Sequence, residues 1–333
     1  ESILFYLKLV CDRQIVGLKK LKAGADSFWK AFYAARGNND LESMIEMLCE
    51  EFGVETPVQD YREWNDRRKN QPARQRVAWM ENPSSNWRWE SEDAAFRFYD
   101  GHFDLFGKRT KQLIFPRFAE ITKENYHYDR NEWGMDILEI GNSSGCGGLI
   151  LYVDGVAYPV RTESGGYTPV FTGRLIKETA EEVTLEFVAK HIVPGKPYEV
   201  RIRPTVFAGR EDCRIEVTVE GNSAEEKAEI GIGLTSLPQE TFIFDPQTGI
   251  MGSWGFQNPE IGWMGMGMIF PADRFARMDE QPNEHRVVMP YEKGKPLVYH
   301  IQSRWLKGLR FSCCPSAQDW GNILKVKANQ IKK

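Results

Sequence analysis

The residues best suited to chemistry lie close together in the segment YHYDRNEWGMD, which begins at Tyr126. An unperturbed histidine titrates near neutral pH, so a histidine such as His127 can take a proton from a substrate and return it. It lies between Tyr126 and Tyr128 and is followed by Asp129. In an extended strand both tyrosines point away from the histidine, whereas in a loop either could donate a proton. The segment predicts a proton-transfer site with His127 as the base; the alternative is a histidine fixed in a turn by a hydrogen bond.

The acidic residues of the same segment allow two other interpretations. Asp129, Glu132 and Asp136 could supply the paired carboxylates of a glycosidase. Carboxylates in a short loop also suit calcium. Here the acids are interleaved with Arg130 and Trp133 and lack the order of a calcium-binding loop. The sequence therefore predicts no metal and no cofactor, with a structural calcium ion as the alternative.

Cationic residues that could hold an acidic substrate lie upstream. Arg97 falls on the polar face of the strand predicted in DAAFRFYDG, and Lys108 and Arg109 end the segment FGKR. Each could clamp a carboxylate or a sulfate, an arginine through two parallel hydrogen bonds. The alternative is cross-strand pairing with acids such as Asp93 or Asp104. The pattern favours neither interpretation over the other.

Aromatic residues make up 12% of the chain, which suits sugar binding because the C–H faces of sugar rings are apolar. Arg304 and Trp305 end the predicted strand VYHIQSRW and form a cation and a platform. Trp254 and Gln257 lie in the glycine-rich stretch GSWGFQNPEIGWMGMGM, where a backbone without side chains leaves room for a ligand. The alternative for each tryptophan is burial in the core of a β-sandwich.

The elements that must position these residues change character along the chain. Residues 1–60 are predicted to be helical, since NNDLESMIEMLCEEFG has apolar residues at helical spacing. Residues 61–88 are polar and basic and are predicted to be a connector. Residues 89–333 alternate between apolar and polar, with turn signals about every ten residues and no useful helical period. This pattern predicts a mainly β chain, built as one large antiparallel sandwich domain after an N-terminal helical segment.

Composition excludes several classes of partner. The chain has 333 residues and a net charge of −4, so nucleic-acid binding has no electrostatic support. No apolar run approaches the length of a membrane span, and we expect no membrane partner. Six scattered cysteines form neither a disulfide framework nor a zinc spacing. The sequence leaves the oligomeric state open.

Several segments together resemble one known family. RWESEDAAFRFYDG, FDLFGKR, YHYDRNEWGMD, GNSSGCGG and SWGFQNPEIGWMGMGMIF follow in the same order as that family's motifs, as do VYHIQSRW and SAQDW. The resemblance covers about residues 87–322 and is to a domain family of formerly unknown function, common in bacterial polysaccharide-utilisation clusters. That family includes an ulvan oligosaccharide dehydratase. The resemblance implies a galactose-mutarotase-like β super-sandwich in a periplasmic or secreted protein.

The resemblance also implies a reaction, the elimination of water from the terminal uronic acid of an acidic oligosaccharide. His127 matches the family's Tyr-His-x-Asp motif and is implied to be the base, with Tyr126 or Tyr128 as the acid. The chain departs from the usual spacing after Asp129, because residues 130–133 precede the next glycine. Alternatives on the same fold are a glycoside hydrolase or an epimerase. A non-catalytic sugar-binding module is the alternative from another class.

Overall fold

The fold is described from a computed structural model of the chain. The described residues are 75–82, 86–115, 133–162, 169–221, 227–309 and 316–331. The helical segment predicted for residues 1–60 therefore lies outside the described residues. No helix in the described ranges is long and apolar enough to span a membrane.

The described part of the chain is built mainly from strands. In chain order they are β1 Val77–Asn82, β2 Asn86–Ser91, β3 Ala95–Tyr99, β4 His102–Lys108, β5 Gly134–Asp136, β6 Cys146–Val153, β7 Val156–Pro159, β8 Val170–Glu178, β9 Glu182–Lys190, β10 Glu199–Phe207, β11 Asp212–Glu220, β12 Ala228–Thr235, β13 Thr241–Asp245, β14 Ile250–Phe256, β15 Trp263–Ile269, β16 Arg277–Gln281, β17 Glu284–Pro290 and β18 Leu297–Trp305. A 3₁₀ turn, Ala272–Arg274, follows β15, and one helix, α1 Ala317–Ile331, follows β18.

The strands form three antiparallel sheets. Sheet A has the order β1-β2-β3-β4-β5, and sheet B has the order β16-β17-β12-β6-β7. Sheet C has eight strands in the order β13-β14-β15-β18-β11-β10-β9-β8. Sheets A and B are linked by a bridge between Phe103 and Gly145, and both pack against sheet C. The large antiparallel β-sandwich predicted from the period-two pattern is confirmed.

Alternation along the strands explains why the sheets stack in this way. In β11 the side chains of Cys213, Ile215 and Val217 are fully buried between the layers, while the residues between them face outward. Residues that alternate along a strand share one face, so each strand contributes one apolar side to the core. The rings of Phe98 in sheet A and Phe187 in sheet C stack with their centroids 4.2 Å apart. One continuous core therefore joins the sheets.

The sequence prediction differs from the structure at both ends of the β region. The sandwich begins at Val77, inside the range predicted as a connector, because β1 pairs along its whole length with β2. Helix α1 was not predicted from the sequence. It buries Trp320, Leu324 and Ala328, four residues apart, against β14 and β15 on the outer face of sheet C. The indole of Trp320 donates a hydrogen bond to the Met266 carbonyl at 3.1 Å.

Candidate functional site

The outer face of sheet A carries charged side chains that are nevertheless buried. Strand register places Arg88 opposite Arg97, and Arg97 opposite Asp104, so the three side chains share one face. Arg88 and Asp104 are fully buried and Arg97 is 5% exposed. Charges removed from water to this extent persist only with charged or hydrogen-bonding partners. The arrangement is a compact electrostatic network rather than a solvated surface.

Arg97 is the centre of this network. One of its terminal nitrogens, Nη2, donates hydrogen bonds to carboxylate oxygens of Asp104 and of Asp136, the latter at 3.0 Å. Its guanidinium also lies 4.5 Å from the centroid of the Tyr99 ring. This is the cross-strand pairing that the sequence left open as an alternative for Arg97. Its role in substrate binding stays a prediction.

The two carboxyl groups that accept hydrogen bonds from Arg97, those of Asp104 and Asp136, have raised pKa values. Burial raises the pKa of Asp104, although the charge of Arg97 opposes the shift. The pKa of Asp136 is raised well above its ordinary range, first by burial and then by the negative charge of Asp104. Two neighbouring buried carboxyl groups disfavour simultaneous ionisation. The pair is therefore suited to hold a proton.

Lys108 lies farther along the same face and is also paired. Its ammonium group contacts Glu90 at 2.5 Å and the carbonyls of Ser91 and Gln112 at 2.8 and 3.0 Å. The other carboxylate oxygen of Glu90 accepts hydrogen bonds from the backbone of Ile114 and of the residue after it. Lys108 and Glu90 thus attach the chain that follows β4 to the sheet.

The ends of the segment that carries the predicted base lie on this face. Phe115 is the last described residue before 116–132, and Trp133 is the first one after. Both rings pack on Phe106, with centroids 5.6 and 6.2 Å from its ring. Phe106 lies between Asp104 and Lys108 on β4, so the segment leaves and re-enters beside the charged network.

Four predicted site residues lie outside the described part of the chain. They are Tyr126, His127, Tyr128 and Asp129. Their chemical roles stay predictions.

Four other predicted residues lie around one small polar cleft between β4 and the end of β18. Lys108, Arg304 and Trp305 line this cleft. The guanidinium of Arg109 lies 4.7 Å from the centroid of the Trp305 ring, and the indole of Trp305 donates to the Ile261 carbonyl at 2.8 Å. Arg304 forms an ion pair with an acid, as Lys108 does. The four residues therefore lie close together, and the contacts described for them are with one another and with other residues of the sandwich.

Trp254 and Gln257 are not part of this cleft. Trp254 is buried under helix α1 and stacks on Trp263, with ring centroids 6.3 Å apart. That position fits the core alternative, because helix α1 already covers the ring. The side-chain carbonyl of Gln257 accepts a hydrogen bond from the backbone of Glu139 at 3.3 Å. Neither placement tests substrate binding, which stays a prediction for both.

Sequence reasoning missed the residues that tie this face together. No local feature of the sequence marks Glu90 or Arg88 as a buried charged residue. The sequence indicates Asp104 as a partner for a cation, and Asp136 as one of three acids that suit a glycosidase pair or a calcium ion. Among the described residues, no group of three or more histidine, cysteine or acidic side chains could hold a metal ion.

Comparison with known proteins assigns the family. Residues 60–333 match the family described as Domain of unknown function (DUF4861). The chain belongs to that family. The match includes all of the residues over which the motifs resemble a family, about 87–322, and extends beyond them at both ends. No curated protein matches this DUF4861 chain in sequence.

Similar solved structures are distant. The GH36 α-galactosidase AgaB from Geobacillus stearothermophilus is 12% identical, with 68% of this chain and 41% of that chain covered and a TM-score of 0.36. A protein proposed to be an aldose 1-epimerase, from Klebsiella pneumoniae, is 8% identical, with coverages of 81% and 91% and a TM-score of 0.36. The DUF4861 chain thus spans well under half of the galactosidase. Neither similarity carries an argument about activity.

Proposed function

We propose that this DUF4861 domain eliminates water from the terminal uronic acid of acidic oligosaccharides. The observation that carries the proposal is the position of Phe115 and Trp133. These residues bound the segment with the predicted base, and both pack on the face that holds Arg97 and Lys108. Membership of the family adds support, because the matched residues, 60–333, include His127, and the resemblance drawn from the sequence motifs implies that this residue is the base.

The reaction makes three demands on the protein. A base must remove the proton from the carbon next to the carboxylate, and in the proposal His127 takes it. The electron pair of that C–H bond forms the new double bond as the neighbouring C–O bond breaks. The departing hydroxyl receives a proton from Tyr126 or Tyr128 and leaves as water. Positive charge near the carboxylate stabilises the electron-rich intermediate state.

The charged network of sheet A offers a way to supply that positive charge. Among the described residues, Arg97 donates to the carboxyl groups of Asp104 and Asp136, and the raised pKa of Asp136 favours its protonated form. When Asp136 holds a proton, Arg97 keeps one anionic partner instead of two. In the proposal, the carboxylate of the substrate becomes the second anionic partner of Arg97, through the paired hydrogen bonds that a guanidinium makes best.

The test is incubation of the full chain with a panel of uronic-acid oligosaccharides, followed by ultraviolet absorbance and mass spectrometry together. Dehydration predicts a new chromophore and the loss of one water, with no change in chain length. Shorter chains without a chromophore would identify a hydrolase. Retention on a polysaccharide gel without either product would identify a binding module.

Substitution then tests the base. His127→Ala should abolish turnover while leaving the unfolding transition unchanged. His191→Asn is the matched control, since His191 lies in a turn after β9 with a φ of 57°, a conformation that asparagine tolerates. A fully active His127→Ala variant would refute the assignment of the base.

A further inference from the structure

A second cavity, lined by both polar and apolar atoms, lies on the outer face of sheet C, beside helix α1. Its volume is about 420 Å³, within the range typical of small-molecule sites. Strand β18 contributes Gln302 and Arg304, the β10–β11 turn contributes Arg210 and Glu211, and helix α1 contributes Lys327. Arg304 also lines the cleft beside Lys108, so it separates this cavity from the cleft.

Two buried donors in the cavity wall have no acceptor in the part of the chain that the structure describes. Gln302 is 2% exposed, and its side-chain nitrogen has no hydrogen-bond partner among the described residues. The Nε of Arg304 is likewise buried and unpaired within that part of the chain. Buried polar groups in native proteins are almost always satisfied, and an exception requires an explanation. Two such donors on one cavity indicate an oxygen-rich occupant.

The charges around the cavity define the occupant further. Arg210 makes two hydrogen bonds to Asp212, at 2.5 and 3.1 Å, and Lys327 pairs with the same carboxylate. Arg304 pairs with Glu211. Among the described residues that line or underlie the cavity, three cations thus face two carboxylates, an excess of one positive charge.

The carboxylate beneath the cavity is ionised. Burial alone would raise the pKa of Asp212, but hydrogen bonds from His300, Arg210 and Lys327 lower it overall. The excess of one cation therefore persists at neutral pH. A single negative charge on the occupant would neutralise it.

We infer that this cavity binds the carboxylate of a small hydroxylated acid, such as a single uronic acid. The carboxylate oxygens would accept hydrogen bonds from the side-chain nitrogen of Gln302 and from the Nε of Arg304, the two atoms that have no acceptor among the described residues. Asn322 and Gln330 also line the cavity and can bond hydroxyl groups, while Ile323 offers an apolar surface to ring C–H groups. One excess cation suits a monoanion better than a phosphate dianion. The inference concerns binding alone and does not depend on the dehydration proposal.

The test is isothermal titration calorimetry of the full chain with D-glucuronate, D-glucose and inorganic phosphate. Glucuronate should bind more tightly than either comparison ligand. Gln302→Met keeps the side-chain length but removes the donor, and it should weaken glucuronate binding about tenfold, the loss of one hydrogen bond to a charged group. Lys327→Met should weaken it by a similar factor.

Helix α1 offers a matched control. Lys325 lies two residues from Lys327, is exposed, and has its ammonium 3.7 Å from Asp245 outside the cavity. Lys325→Met should leave the affinity unchanged, and thermal unfolding of every variant verifies the fold. The inference is overturned if the wild-type chain does not bind glucuronate at millimolar concentration, if glucose or phosphate binds as well, or if Gln302→Met and Lys327→Met both bind as the wild type does.

Discussion

Replacing Lys108 by methionine tests whether buried ion pairs hold the candidate site together. The side chains of Lys108 and Glu90 are each 1% exposed, so solvent does not screen their interaction. Methionine keeps the apolar stem but removes the charge and the hydrogen bonds to Glu90 and to two backbone carbonyls. Glu90 is then left with backbone donors only, from Ile114 and Phe115.

The magnitude follows from the burial. Removing one partner of a buried ion pair costs about 3–5 kcal/mol, because the remaining charge is uncompensated. For a domain of this size, each kcal/mol of lost unfolding free energy lowers Tm by roughly 2–4 °C, so the expected decrease in Tm is on the order of 6–20 °C. Burial already raises the pKa of Glu90 against the effect of Lys108, and loss of the lysine raises it further.

The pH dependence of the Lys108→Met variant follows from that direction. A carboxyl group whose folded pKa exceeds its unfolded value, 4.5 for Glu90, adds stability at low pH. This contribution disappears as the pH rises through the folded pKa. The Tm of the variant should therefore be closest to that of the wild type in mild acid. The difference in Tm should grow as the pH is raised to about 8.

Urea and thermal unfolding of three proteins provide the assay. Alongside the wild type and Lys108→Met, the double variant Lys108→Met/Glu90→Gln removes both charges but keeps an oxygen to accept from the backbone of Ile114. It should recover part of the lost stability. A loss below about 1 kcal/mol in the single variant, the value of an exposed pair, would refute the reasoning. A double variant less stable than the single one would refute it as well.

Three further substitutions probe other parts of the fold. Burial lowers the pKa of His285, but hydrogen bonds to Glu240 and Glu280 raise it overall. The protonated histidine therefore stabilises the fold below pH 6.5, its unfolded pKa, and this stability is lost as the pH rises through the folded pKa. In thermal melts, the Tm of His285→Gln should fall less over that pH range than the Tm of the wild type. Gly107→Ala should cost about 1–3 kcal/mol in urea unfolding, because an added Cβ overlaps the Trp305 ring. Gly321→Ala, in helix α1 with its nearest neighbour at 3.6 Å, should add about 0.5–1 kcal/mol by the same measurement. Equal effects of the two glycine substitutions would contradict the packing argument.

The sequence by itself determined the local structure of most of the sandwich. The stretch GLILYVDGVAYPV predicts a hairpin with Asp154 and Gly155 at its turn, and the structure confirms it. Both residues have positive φ, 51° and 82°, as such a two-residue turn requires. The period-two pattern likewise predicts strands such as β11, in which buried and partly exposed residues alternate. These signals are local, and neighbouring residues alone produce them.

Tertiary structure alone decided which charges are buried and which partners they have. Asp136 reaches Arg97 from 39 residues away, and Glu90 fastens Ile114 across 24 residues. Helix α1 escaped prediction because sheet C supplies the surface that receives it, which includes Gly252, where an added Cβ would meet the helix. Strand register and sheet packing choose these contacts. A sequence pattern therefore indicates whether a residue can lie on a buried face of its own strand or helix. The three-dimensional fold determines which distant residues contact it.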